Sequence, residues 1–140
     1  MVDARHARGL LDTSVFIASE TITAGMLPRE AAISAVSLAE LAAGPHATQD
    51  PAERARRQDR LQRIEATFDP LPFDAGAARA YGRIYAAVTA AGRKARGQRA
   101  VDLLIAATAV AAGLPLYTCN PEDFRLLDDL LEVVPVSSPA

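Results

Sequence analysis

The sequence predicts an α/β domain built on a mostly parallel sheet of four to five strands, covered by helices on both faces. Three observations predict it. Short apolar runs alternate with longer amphipathic segments along the chain, the order expected of strands joined by helical crossovers. The clearest strand candidates are hydrophobic without alternation, as in strands buried on both faces. Acidic and hydroxyl residues stand where strand candidates give way to helices, at the sheet edge where α/β domains place their ligand sites.

Taken in order, residues 9–12 form the first strand, an apolar run closed by Asp12. Thr13 or Ser14 then caps a short helix reaching Ser19. Residues 21–29 hold Gly25 and Pro28 and make a connection. Residues 31–36 are a second buried strand, assigned from its place between helices because alanine has little β propensity. Ser37 opens a helix with Leu38, Leu41 and Ala42 on one face, and Gly44-Pro45 ends it. Residues 51–68 form a long helix with Leu61, Ile64 and Phe68 at i, i+3 and i+7. Residues 70–73 are a short edge strand, since proline cannot donate to a central ladder.

Asp74 caps a helix over residues 75–91, where Tyr81, Ile84, Tyr85 and Val88 line one stripe and Gly92 is the stop. Residues 93–98 make a basic loop. The most apolar helix runs over residues 99–112 and stops at Gly113. Residues 114–118 are a buried strand. Asn120 stands at an N-cap with Pro121 at the first helical position, opening a helix through Leu127. Residues 132–136 form the last strand. The expectation is one domain over residues 1–140, with residues 1–8 and 137–140 as loose tails.

At 140 residues the chain can bury a sizeable core without staples. No apolar run approaches the ~20 residues of a membrane span, and the apolar segment after Arg5, His6 and Arg8 breaks at Asp12, too early for a signal peptide. Cys119 is the sole cysteine, which excludes an internal disulfide and a Cys-based zinc cluster. A cytoplasmic location is expected. The net charge of −2 hides a segregated pattern. Arg54, Arg56, Arg57, Arg60 and Arg63 crowd one helix, and Arg93, Lys94, Arg96 and Arg99 crowd a loop. Guanidinium suits bidentate phosphate contacts; the alternative for the first cluster is pairing with Glu53, Asp59 and Glu65.

Asp12, Glu40, Asp102, Asn120 and Asp123 all fall at strand-to-helix junctions. In a parallel sheet these junctions share one edge, so the residues can meet in one crevice. Clustered carboxylates repel one another and persist in charged form around a cation, and hard oxygen ligands select Mg²⁺ or Mn²⁺. Such a site activates water and stabilises an in-line phosphoryl displacement. Each position also has a purely structural role open to it. Asp12 can form an Asx turn. Ser37-x-x-Glu40 is a capping box, on spacing alone the stronger assignment for Glu40. Asp102 and Asp123 can complement a helix dipole, and Asn120 can be an N-cap.

Other chemistries fit less well. His6 and His46 lack an i, i+4 partner for a zinc site, Cys119 has no histidine suited to be its base, and no Gly-rich phosphate loop is present.

Four motifs resemble the PIN-domain ribonucleases of the VapC toxin type: residues 11–15 (LDTSV), 37–41 (SLAEL), 102–109 (DLLIAATA) and 118–124 (TCNPEDF). The resemblance covers residues 10–136. It implies a three-layer αβα, PIN-like fold with an acidic Mg²⁺ or Mn²⁺ site, in which Asp12, Glu40 and Asp102 match the metal-ligating acids. Thr13 or Ser14 would orient Asp12, and Thr118 matches a hydroxyl at the rim. The fourth family acid is replaced by Asn120, with Asp123 one turn later as its candidate substitute.

The resemblance further implies an endoribonuclease acting on structured RNA, commonly tRNA or rRNA, a homodimer, and a cognate VapB-type antitoxin. Arg93, Lys94, Arg96 and Arg99 would then grip RNA phosphates, and the exposed part of Tyr81, Ile84 and Tyr85 would serve the dimer. Two other classes stay open. A haloacid-dehalogenase-like phosphatase would want a second aspartate where Ser14 stands, and a non-catalytic PIN-like binding module is favoured only by the missing charge at Asn120.

Overall fold

Four short strands, β1 (Arg8–Leu11), β2 (Glu30–Ala32), β3 (Leu116–Thr118) and β4 (Val133–Pro135), pair in the order β2-β1-β3-β4, every pair parallel. This computed structural model describes residues 6–137. The parallel α/β class is as the sequence predicts. The fifth predicted strand, at residues 70–73, reduces to a single bridge between Ser34 and Leu71. Pro70 and Pro72 flank Leu71, and neither has an N–H to extend the ladder.

Five α-helices complete three layers: α1 (Thr13–Ala18), α2 (Ala35–Ala43), α3 (Pro51–Thr67), α4 (Ala75–Ala90) and α5 (Gln98–Ala112). The strand period of two divides their packing. Leu10 and Leu116 point to one side, where Ile84 of α4 and Leu103 and Ile105 of α5 meet them. Leu11 and Tyr117 point to the other, against Val15 of α1, Leu41 of α2 and Leu61 and Ile64 of α3. Each fully buried Leu or Ile contributes roughly 1.5–3 kcal/mol, so the central strands are held from both faces. The Tyr117 ring crosses β1 so closely that a Cβ on Gly9 would lie 2.5 Å from it; only glycine fits there.

Helix ends mostly follow the expected chemistry. Asp74 Oδ1 accepts from the Ala77 N–H at 2.9 Å, and Gly113 closes α5 in the left-handed region at φ 68°. Three starts differ, and each difference moves a site residue. The second strand ends early and α2 begins at Ala35, because Ser34 Oγ accepts from the Ser37 N–H (3.0 Å) and is the true N-cap. At α1, Asp12 holds the N-cap position, so Thr13 and Ser14 lie inside the helix rather than capping it. Finally, α5 begins at Gln98, directly after Gly97 at φ 63°, ψ −142°, a conformation essentially restricted to glycine.

The expected tails fall largely on residues 1–5 and 138–140, outside the described residues. Within them, Arg8 already belongs to β1 and His6 Nε2 lies 2.7 Å from Glu132 Oε2, so neither is loose. Ile84 is fully buried and is removed from any dimer surface, whereas Tyr85 is 49% exposed.

Candidate active site

One residue beyond β1, the Asp12 N–H donates to the Tyr117 carbonyl of β3 at 2.8 Å, which sets Asp12 at the sheet's carboxyl edge. Only 5% of the residue is exposed. Its Oδ2 accepts from Thr118 Oγ1 and Ser14 Oγ, each at 2.8 Å. Ser14 Oγ also accepts from the Cys119 N–H at 3.1 Å, which ties α1 to the end of β3. Burial pushes the Asp12 carboxyl above its ordinary range; the Thr118, Ser14 and Thr13 donors pull it back, and the Glu40 charge adds to the rise. Asp12 makes no side-chain cap on α1, so its fixed donors serve orientation rather than a turn.

Thr13 works on the neighbouring acid. Its hydroxyl lies 2.6 Å from Glu40 Oε1 and 2.9 Å from Ser37 Oγ. The shorter contact is that of a charge-assisted hydrogen bond. Thr13 therefore orients Glu40, while Ser14 orients Asp12. Glu40 is not the acid of a capping box, because Ser34 caps α2 and Glu40 lies a turn and a half into the helix.

Asp102 is likewise past the first turn of α5, which contains no acid, so a helix-dipole role does not account for it. The Gln98 amide nitrogen is 3.1 Å from both Glu40 Oε2 and Asp102 Oδ1, one carboxylate on α2 and one on α5. Burial raises the Asp102 carboxyl to about 6 against the Gln98 hydrogen bond, and the charges of Asp12, Asp123 and Glu40 push the same way.

On the opposite wall Asn120 and Asp123 take different parts. A 3-10 helix over Pro121–Leu127 starts at Asn120, as expected, but the Asn120 side chain makes no cap. Its backbone does the work: the N–H donates to Thr118 Oγ1 (3.0 Å) and the carbonyl accepts from the Asp123 N–H (3.1 Å). Asp123, like Asp12 and Glu40, carries a charge that raises the Asp102 carboxyl. The fold thus brings Asp12, Glu40 and Asp123 near enough to Asp102 for their charges to raise its carboxyl. Among the described residues no ion pair joins any of the four to a basic side chain, and no three acids close into a ready-made metal cage.

Two contributors escaped sequence reasoning. Ser37 and Gln98 each stand within one helical turn before a site acid, and i, i+3 and i, i+4 neighbours share a helix face; that spacing was the available signal. Cys119 offers only its backbone N–H and a weak contact from Sγ to the Ser14 carbonyl at 3.8 Å. Ser14, where a phosphatase of that type would want a second aspartate, gives its hydroxyl to Asp12 instead.

The two basic clusters separate. On α3, Arg54 donates to the Pro45 and Thr48 carbonyls, Arg57 to the Gly44 carbonyl and Glu53, Arg56 to Glu53, and Arg63 pairs with Asp59 and Glu20. Arg93, Lys94 and Arg96 are exposed between α4 and α5 and Arg99 is half-buried, with no acid paired to any of them among the described residues.

Comparison with known proteins agrees with this architecture. Residues 9–130 match the PIN domain family. Ribonuclease VapC5 of Mycobacterium tuberculosis is 38% identical over 130 residues, covering 91% of this chain and 93% of that protein. Ribonuclease VapC8 of the same organism is 39% identical over 110 residues, covering 78% and 96%. The crystal structure of VapBC-5 from Mycobacterium tuberculosis, a member of the VapBC family of toxin–antitoxin systems, superposes with a TM-score of 0.82 at 37% identity, covering 93% of this chain and 99% of that one.

Proposed function

The chain belongs to the PIN-domain family, and on that premise we propose that it is a metal-dependent endoribonuclease, the toxin of a toxin–antitoxin pair, cutting structured RNA such as tRNA or rRNA. One observation carries the proposal: the charges of Asp12, Glu40 and Asp123, from three other junctions, act on Asp102, and among the described residues none of the four acids is ion-paired to a basic side chain. The names of the relatives, ribonuclease and toxin–antitoxin complex, support the same activity and a VapB-type antitoxin partner.

The donor set fits a divalent cation by its chemistry. It is all oxygen, it carries surplus negative charge, and burial makes that charge costly without a counterion. Asp12, Glu40 and Asp102 would hold Mg²⁺ or Mn²⁺, with Asp123 the fourth acid. Such an ion, when bound, activates water and offsets charge on the phosphate.

The chain's own groups supply the rest. Thr118 and Ser14 occupy Asp12 Oδ2 and leave Oδ1 free of side-chain donors. Thr13 fixes Glu40 through Oε1. Arg93, Lys94, Arg96 and Arg99, placed just before Asp102, would contact RNA phosphates, which sets position without reading base sequence. The exposed Tyr85, edge-on to Tyr81 at 6.2 Å, is offered as part of a homodimer surface. No helix of the described residues is long and apolar enough to cross a membrane, and the protein would act on cytoplasmic RNA.

The test is cleavage of total cellular RNA by the purified chain with Mg²⁺ or Mn²⁺, beside Asp12→Ala and Asp102→Ala. Loss of cleavage in both variants supports the assignment; equal cleavage by all three overturns it.

A further inference from the structure

The residue that stands where the acids fail to close is Gln98. Both hydrogens of its amide are engaged, one toward Glu40 Oε2 and one toward Asp102 Oδ1, each at 3.1 Å. An exposed glutamine ordinarily spends its side-chain freedom in water, and ordering it costs conformational entropy. Here it spans two elements, α2 and α5, and links two like charges that would otherwise repel. Its place is set by backbone: Gly97, at φ 63°, turns the chain into α5 so that Gln98 is the first helical residue, and the i, i+4 spacing then puts its amide over Asp102. Glu40 is held on its other oxygen by Thr13, so the Gln98 contact decides how the second oxygen faces α5.

We propose that Gln98 is a positioning residue that keeps a place for the cation: its amide bridges the Glu40 and Asp102 carboxylates in the metal-free protein and gives way when a divalent ion binds between them. The proposal rests on the metal-site assignment above. It follows from donor arithmetic. A carboxylate oxygen facing an N–H donor is not available to a cation in the same direction, and the amide brings partial positive charge where the ion would bring a full one. Removing the amide should therefore destabilise the metal-free state, in which the two acids lose their shared donor, and leave the metal-bound state nearly unchanged. By linkage, the same change must tighten metal binding.

The experiment compares the full chain with Gln98→Ala and with Gln98→Met, which keeps length and helix propensity but has no donor. Thermal melts in chelator and calorimetric titration with Mn²⁺ are both read at neutral pH. The expected result is a metal-free Tm lower by about 3 °C in both variants, together with Mn²⁺ binding tighter by about three- to tenfold. An unchanged metal-free Tm overturns the proposal, because the bridge then holds nothing. A lower Tm with unchanged or weaker Mn²⁺ binding also overturns it, since Gln98 is then a simple structural tie. If the unaltered chain itself takes up no Mn²⁺, the metal-site assignment fails and the placeholder role fails with it. If the chain binds Mn²⁺ and only the variant pattern is wrong, the metal-site assignment survives alone.

Discussion

Asp12 and Asp102 lie within reach of each other's charge and are held in different ways. Asp12 is enclosed at the end of the sheet, with two hydroxyls of fixed direction on one oxygen and the β1–β3 backbone ladder behind it. Asp102 stands half-buried on a helix, and its one side-chain donor among the described residues is the exposed Gln98 amide. In both, burial raises the carboxyl's pKa, but at Asp12 the opposing hydrogen bonds come from groups locked in the fold. The difference separates an acid held by buried and part-buried hydroxyls, a rigid wall, from one held by a solvent-exposed amide, an adjustable wall.

The comparison can be broken most severely at the rigid wall. Asp12→Ala should lower RNA cleavage by about three orders of magnitude, measured as single-turnover rates with saturating Mn²⁺, while the fold is retained by circular dichroism. A loss below tenfold would mean that Asp12 is not a central ligand.

Next in size is Thr118→Val, which keeps shape but removes the hydroxyl that serves both Asp12 Oδ2 and the Asn120 N–H. Leaving buried polar groups short of a partner should cost about 1–3 kcal/mol, read by denaturant unfolding at neutral pH.

The adjustable wall gives a pH signature. The folded Asp102 pKa, about 6, lies above its ordinary 3.8. Its contribution to stability is therefore fully present below pH 3.8 and is lost as pH rises through 6. Asp102→Asn should raise the metal-free Tm at pH 7 and leave it nearly unchanged at pH 3.5, in melts run with chelator. A Tm lowered at pH 7 would show that the charge is stabilising there.

The smallest effect concerns the two basic clusters. Arg93→Ala with Arg96→Ala should flatten the salt dependence of RNA binding by roughly 0.7 in log–log slope for each phosphate that is no longer neutralised. Arg54→Ala with Arg57→Ala should leave that slope unchanged and instead lower stability, because those guanidiniums are tied to the carbonyls after α2. Equal slopes for the two pairs would remove the distinction between them.

Much of this arrangement was legible in the residues. The apolar run before Asp12, the Asp74 cap, the Gly113 stop and the Pro121 start are local signals, and each lies where it was expected. Helix starts were the weaker inference. Ser34 and Ser37 are both chemically able to cap α2, and only the backbone conformation decides which does. The same shift turned Glu40 from the acid of a capping box into a site residue held by Thr13.

By itself the sequence determined the class of fold and the shared address of the acids. Period and order are properties of the chain, and a parallel sheet converts order along the chain into neighbours at one edge. Tertiary structure alone decided that the Asp123 charge acts on Asp102, that Gln98 spans two carboxylates, and that Arg54 and Arg57 of α3 are already tied to the carbonyls after α2. Those outcomes depend on distances of a few ångströms between elements far apart in sequence. Hydrogen bonds and Coulomb forces act through that space, and no spacing along the chain encodes it.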